Sequence, residues 1–253
     1  MKKNAMKAKL LAGRPTFGIS MMIPSPQIVE MVAGLGFDWI LIDCEHGAIN
    51  PETVETLALA ADACGMTPIA RPRTQKPEDI LQVMDRGVMG VQVPHVNTAD
   101  DARAAVEAVK YHPMGKRGLG AGTRAASYGF GVSLAEYIEA TNRETLVCVQ
   151  LEEEEAIRNA DEILKVEGVD VFFIGPSDLS QSMGYPGQLD NPVVKAAIDR
   201  TFEKIVAAGK APGTPGNLEG VQTVLKKGVL YMYTHVTKLL ASASAAYFKV
   251  ARA

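Results

Sequence analysis

The feature that most constrains this chain is a run of short apolar segments, each followed by a longer stretch of helical periodicity, repeated eight times. Segments rich in Val, Ile and Phe that alternate with helical patterns demand a parallel sheet whose connections cross over through helices. The spacing predicts strands at 16–22, 39–42, 67–70, 90–93, 147–151, 171–174, 211–214 and 230–233. The first helix starts near Ser25, lines up Ile28, Val29, Val32 and Leu35, and stops at Gly36. Asn50-Pro51-Glu52 reads as the capped start of a helix that exits through Cys64-Gly65. Further helices are expected from Pro77, over 98–109, 156–164 and 191–208, and at 237–250. Eight strand–helix units in 253 residues match an α/β TIM (β/α)8 barrel, read as a single barrel domain over 1–253. An open doubly wound sheet would carry a glycine-rich phosphate turn after its first strand. Met22-Ile23-Pro24-Ser25-Pro26 stands there instead.

Composition narrows the function classes. Lys+Arg 26 against Asp+Glu 29 leaves a net charge of −3, so a basic nucleic-acid surface is not expected. No apolar run reaches the roughly 18–20 residues of a membrane span, and the first residues do not read as a signal sequence. The expectation is a cytoplasmic protein with no nucleic-acid or membrane partner. Cys44, Cys64 and Cys148 are too few and too scattered for a disulfide framework or a thiolate metal cage, and are read as reduced thiols. Residues 111–132 hold seven glycines and prolines together with Lys116, Arg117 and Arg124, longer than an ordinary connection. Such a segment is expected to be a lid or an inter-subunit arm. The string Gly118-Leu119-Gly120-Ala121-Gly122 inside it lacks the Lys-Ser/Thr ending and preceding strand of a phosphate loop.

In a barrel of this kind the chemistry is built at the carboxyl ends of the strands. Strand two runs into Asp43-Cys44-Glu45-His46-Gly47, strand three into Arg71, strand five into Glu152, and strand six into Gly175-Pro176-Ser177-Asp178. Two carboxylates at adjacent strand ends, Glu152 and Asp178, offer hard oxygen ligands suited to an octahedral dication. Spacing leaves open which of Glu152 to Glu155 would be the ligand, and an acidic first helical turn explains such a tetrad equally well. His46, just past Asp43 and Glu45, has the setting of an imidazole made basic by carboxylates. The sequence gives no comparable acidic cluster to His95, His112 or His235, which are expected to be solvated, although His235 belongs to the same rim. Arg71 presents a planar fork suited to a carboxylate or enolate oxygen, or to an internal salt bridge. Asp85, in the helix after strand three, reads as a solvated acid. No lysine occupies a predicted strand end, which argues against imine chemistry.

Together these segments resemble the HpcH/HpaI aldolase family, the metal-dependent pyruvate aldolases. The resemblance rests on Phe37-Asp38-Trp39, Asp43-Cys44-Glu45-His46, Ala70-Arg71-Pro72, Val93-Pro94, Arg117-Gly118, Gln150-Leu151-Glu152 and 173–179, in that order. It implies a barrel of the phosphoenolpyruvate/pyruvate type whose last helix is exchanged between subunits of a homo-oligomer, commonly a hexamer. It also implies reversible cleavage of a 4-hydroxy-2-oxo acid to pyruvate and an aldehyde through a metal-stabilised enolate, as in aromatic or sugar acid catabolism. By the same resemblance Glu152 and Asp178 hold the divalent metal, Mg²⁺ or Mn²⁺ with Co²⁺ also compatible, and Gln150 lines that site. His46 is then the general base, Asp43 and Asp85 the acids that tune it, and Arg71 the partner of the enolate oxygen. Backbone groups around Ser177 and Asp178 bind the carboxylate of the 2-oxo acid. Two features depart from the family: Tyr233-Thr234-His235-Val236 follows strand eight where a Gly-Ser/Thr-Asp type turn is usual, and Pro212 interrupts strand seven. Oxaloacetate decarboxylation would use the same metal and arginine, and a noncatalytic 2-oxo acid binding protein is the non-enzyme alternative.

Overall fold

The computed structural model describes residues 2–252. Its strands are β1 (Thr16–Met21), β2 (Trp39–Asp43), β3 (Thr67–Arg71), β4 (Gly90–Val93), β5 (Leu146–Leu151), β6 (Val171–Ile174), β7 (Ala211–Pro215) and β8 (Tyr231–His235). Each pairs in parallel with its neighbour in chain order, and β8 returns to β1 to close the barrel. The helices are α1 (Ala5–Leu11), α2 (Pro26–Gly34), α3 (Pro51–Ala63), α4 (Pro77–Asp85), α5 (Ala99–Val109) and α6 (Leu134–Glu144). They continue as α7 (Glu154–Arg158), α8 (Ala160–Ile163), α9 (Pro176–Ser182), α10 (Pro192–Ala207), α11 (Val221–Lys226) and α12 (Val236–Ala251). The predicted (β/α)8 barrel is thus the observed one.

The two-residue period of a strand sorts side chains to opposite faces. Ile40, Ile42, Val147, Val149, Phe172 and Ile174 join Val54, Leu57, Ile80, Val83 and Ile205 of the helices in the larger core, between barrel and helix layer. The other parity, Trp39, Leu41, Ile69, Leu146, Cys148, Val171, Phe173, Tyr231 and Tyr233, fills the barrel interior with Met6 and Leu10 of α1. Aromatic rings dominate this inner core: Trp39 lies 4.2 Å from Tyr231 between centroids, and Phe173 stacks on Tyr233 at 5.3 Å. Gly18 is required there, because a Cβ at that position would sit 2.3 Å from the Trp39 indole.

Several boundaries differ from expectation for identifiable reasons. β2, β3 and β8 run past their apolar residues because backbone pairing continues, Asp43 opposite Arg71 and Ser20 opposite His235, so polar residues finish the strands. α1 was not evident as an element; it closes the lower end of the barrel through Asn4, whose amide donates to the carbonyls of Met89 and Glu144. The helix expected over 156–164 is two short pieces that meet at Asn159, whose side chain donates to the Asn97 carbonyl at 2.9 Å. Residues 111–132 form a largely irregular loop clamped to the barrel wall: Arg117 donates to Asp85 at 2.8 Å, and Arg124 bonds Asp62 and the Arg86 carbonyl.

Candidate active site

Continuing the interior parity outward along the strands brings polar residues to one mouth of the barrel: Asp43 from β2, Arg71 from β3, Gln92 from β4, Gln150 and then Glu152 from β5, and His235 from β8. Asp43 and Arg71 are neighbours across the ladder and meet in a two-pronged salt bridge, Nε to Oδ1 at 3.0 Å and Nη2 to Oδ2 at 2.6 Å. Both are buried. Burial opposes the charge on each, but the paired hydrogen bonds outweigh it, holding Asp43 below the usual carboxylate range and Arg71 above the usual guanidinium range. The same Oδ1 of Asp43 accepts the backbone N–H groups of Glu45 and His46 at 3.1 and 3.2 Å. That turn fixes the chain leaving β2.

Glu45 is the next link. Its carboxylate lies 3.2 Å from Nη1 of Arg71, 3.1 Å from Nε2 of His95 and 3.8 Å from Nε2 of His46. His95 stands just past β4 with φ of 54°, the left-handed region that a side chain rarely enters. This turn lets its N–H donate to Oε1 of Glu152 at 2.8 Å while its ring Nδ1 approaches Glu153 at 3.0 Å and Glu152 at 3.4 Å. Glu152 itself is 1% exposed, and burial pushes its carboxyl above the usual range. A relay orients it: the Gln92 amide donates to Gln150, and the Gln150 amide donates to Glu152. The backbone of Gly175 packs close beside it, since a Cβ there would stand 3.0 Å from Oε2 of Glu152.

The residues singled out in the sequence are distributed as follows. Asp43, Arg71, Gln150 and Glu152 are all at the mouth. Ser177 and Asp178 lie in the first turn of α9, directly after β6, and both are exposed; the Asp178 side chain has no hydrogen-bonding or ionic partner among the described residues. His46 is exposed, with its imidazole nearest to Glu45 rather than to Asp43. Asp85 bonds Arg117 of the long loop and makes no contact with His46 among the described residues. His95 departs from expectation: it is only half exposed and is set among three carboxylates. Its position two residues beyond a strand end carried the signal, but the acids that surround it come from other strands. Glu45, at the centre of the charge network, was visible only as a neighbour of His46. His235 is half-buried, with its ring edge-on to Tyr233, and burial together with nearby Lys238 holds its imidazole below the usual range.

The mouth therefore holds Asp43, Glu45, Glu152, Glu153 and Asp178, with Arg71 paired to both Asp43 and Glu45 and with Arg73 and Lys238 close by. Such a surplus of carboxylate fits a bound dication. Glu45, His95 and Glu152 together present ligand atoms that all lie within 4.8 Å of one another. The buried Lys110, lowered to about 8 by burial and by Lys7, donates to the carbonyls of Asn142 and Thr145, which lie before β5, at the far end from Glu152.

Comparison with known proteins shows the family. The family model for HpcH/HpaI aldolase/citrate lyase matches residues 19–231, from β1 to β8. A 4-hydroxy-2-oxo-heptane-1,7-dioate aldolase of Shigella sonnei is 42% identical over 246 residues, covering 96% of this chain and 93% of that protein. Among solved structures, an HpcH/HpaI aldolase/citrate lyase family protein from Burkholderia cenocepacia superposes with a TM-score of 0.93 at 26% identity, covering 99% of this chain and all of that one. An HpcH/HpaI aldolase from Desulfitobacterium hafniense gives a TM-score of 0.89 at 27% identity over 97% of this chain and 96% of its own. The chain belongs to the HpcH/HpaI aldolase/citrate lyase family, a family of carbon–carbon lyases.

Proposed function

We propose that this protein is a divalent-metal-dependent aldolase that reversibly cleaves a 4-hydroxy-2-oxo acid into pyruvate and an aldehyde. The observation that carries the reading is the pairing, at one barrel mouth, of the buried, desolvated carboxylate of Glu152 with the Asp43-anchored fork of Arg71. Glu152 and Asp178, at the ends of adjacent strands, would hold Mg²⁺ or Mn²⁺. When bound, the dication supplies Lewis acidity toward the oxygens of a 2-oxo acid.

The remaining steps belong to the chain's own residues. Asp43 occupies Nε and Nη2 of Arg71, so Nη1 faces Glu45 and the open mouth. A guanidinium held in this way needs no reorganisation to meet an enolate oxygen, which is how preorganised donors lower a barrier. His46, on the exposed turn fixed by Asp43, takes the proton of the 4-hydroxyl as the bond between carbons three and four breaks, and returns it to carbon three of the pyruvate enolate. Backbone N–H groups at Ser177 and Asp178 bind the carboxylate. Gln150 keeps Glu152 in one orientation. Asp85 enters the scheme through Arg117 and the long loop rather than through the imidazole. The chain works as a homo-oligomer, a hexamer in this reading, with α12 exchanged between copies.

Proton NMR of pyruvate methyl exchange in heavy water tests the reading before any aldehyde is known. Exchange that requires added Mg²⁺ and stops with chelator is expected. Exchange indifferent to chelator, or covalent trapping of pyruvate by borohydride, would overturn it. A panel of aldehydes then separates aldol addition from oxaloacetate decarboxylation.

A further inference from the structure

We propose that His235, with Ser20 beside it, forms a polar subsite that hydrogen-bonds a hydroxyl group on the aldehyde half of the substrate. The inference rests on the aldolase reading above and deepens it by naming the residues that meet the part of the substrate beyond pyruvate. It also gives a role to the segment Tyr233-Thr234-His235-Val236, which the reaction scheme leaves unused.

The layout of the barrel selects the sector. In a closed ring of eight strands, β2 and β6 stand opposite each other. His46, the proposed base, follows β2, and Ser177 and Asp178, the proposed seat of the carboxylate, follow β6. A substrate held at both points crosses the mouth. The side toward β3, β4 and β5 is taken up by Arg71, Gln92, His95, Gln150 and Glu152. Carbons beyond the fourth therefore extend toward β7, β8 and β1. On that side β1 and β8 pair in register, with Ser20 opposite His235. Both follow the interior parity of their strands: Gly18, two residues before Ser20, abuts the Trp39 indole, and Tyr233, two residues before His235, belongs to the inner core.

Neither side chain has a hydrogen-bond partner among the described residues. Ser20 is 2% exposed, and its buried Oγ makes no hydrogen bond. A buried hydroxyl left unpaired is costly, and a ligand hydroxyl seated on His235, or water held with it, answers that cost. The half-buried imidazole of His235 packs on Tyr233 at 5.6 Å between centroids and 88° between planes, while no described residue bonds to either ring nitrogen. Burial and Lys238, helped by Arg71 and opposed by Asp43, hold the imidazole below its usual range, so at neutral pH it offers one N–H and one lone pair. A hydroxyl gives one hydrogen and takes one, which matches this pair. A carboxylate only takes hydrogens, and here it would also face Asp43. Aldehydes that carry a hydroxyl on their chain are therefore the class this subsite selects.

The test is aldol addition by the full chain with pyruvate and Mg²⁺, taking kcat/KM for glycolaldehyde, for acetaldehyde, which lacks only the hydroxyl, and for succinic semialdehyde. Comparing ratios between variants cancels the intrinsic reactivity of each aldehyde. The glycolaldehyde-to-acetaldehyde ratio is expected to fall about five- to tenfold in His235→Phe, which keeps a ring against Tyr233, and to recover in His235→Asn, which restores a donor and an acceptor. Ser20→Ala is expected to lower the same ratio about two- to threefold, and it decides the matter if His235→Phe does not fold. A purely structural role lowers both rates together, so a ratio that stays put in the folded variants overturns the proposal. A loss in His235→Phe confined to succinic semialdehyde overturns it too, because the imidazole then reads an anionic tail together with Lys238. Pyruvate methyl exchange in the wild type, run without aldehyde, separates the two levels. Metal-dependent exchange with an unmoved ratio removes the subsite and leaves the aldolase reading standing. Absence of both exchange and addition in the wild type removes the two together.

Discussion

At the scale of single residues, the two charged groups that anchor the mouth respond to burial in opposite ways. Arg71 survives burial because Asp43 meets it with two parallel hydrogen bonds. Arg71→Lys keeps the charge and loses the fork. Its kcat/KM for aldol cleavage is expected to fall by about 10²–10³, the cost of removing one preorganised donor, with most of the loss in kcat. A loss confined to KM would show that the guanidinium only binds substrate. Glu152 is desolvated without a permanent cation, so burial raises its folded-state pKa. An acid raised on folding is destabilised wherever the unfolded state would be ionised, that is, above about pH 4.3. Glu152→Gln is therefore expected to melt at a higher temperature than the wild type in chelator at pH 7, with the gap closing as the pH falls toward 4, while aldol cleavage is lost. Differential scanning calorimetry across that pH range checks the sign; a lower melting temperature for the variant at pH 7 would contradict it. Asp43, Arg71 and the acidic run from Glu152 were legible because barrel chemistry sits at strand ends and these follow apolar strand residues, whereas Gln150 and the choice of Glu152 within that run came only with the family resemblance. The sequence concealed the surroundings of His95, because a left-handed turn and the convergence of three distant acids on one ring leave no local pattern.

Among the elements, the strands were the easiest to read and the connections the hardest. Eight apolar runs set the barrel, since a fully buried parallel strand needs nothing else to mark it. Their ends were read one or two residues short wherever a polar residue finishes the ladder, as at Arg71 and His235. α1, α9 and α11 carry no periodic signal because each spans only six or seven residues, and α6 is hidden behind the glycine-rich loop. Inside the barrel, β1 depends on Gly18 to admit the Trp39 indole. Gly18→Ala is expected to destabilise the fold by about 1–3 kcal/mol, the usual cost of overpacking a filled core, read as a lower urea midpoint at unchanged slope. The 111–132 loop is held by arginines as well as by a small buried cluster of Tyr111, Ala126 and Tyr137: Arg124 ties it to Asp62 of α3 and to the carbonyl that follows α4. Arg124→Ala is expected to make this segment the first site of limited proteolysis while the barrel's circular dichroism stays unchanged. Cleavage elsewhere, with the loop intact, would show that other contacts hold it.

For the whole molecule, the decisive element is the last one. α12 runs for sixteen residues with no buried position. Leu239 and Leu240 expose 39% and 61% of their surface, Tyr247 68%, Phe248 45% and Val250 79%. A helix shows this much apolar surface to water only when something covers it. A small, almost wholly apolar hollow beside its start, lined by Phe17, Phe37, Leu218, Met232 and Leu239, extends the same character onto the barrel wall. A second copy of the chain supplies a matching helix and a matching wall, and closed symmetry lets each copy give and receive the same contact. Exchange of α12 within a homo-oligomer, the arrangement that the family resemblance implied from Leu239-Leu240 and the Ala-rich run to Phe248, is the proposal that this exposed face supports. Removal of 237–253 is therefore expected to convert the assembly to monomers in light scattering coupled to size exclusion. Because the truncated chain would still expose the barrel wall, it is also expected to aggregate at lower concentration than the full chain. A full-length protein that elutes as a monomer at ~10 μM, with the molar mass of one chain, would show that no second copy covers α12 and that its apolar residues need another explanation.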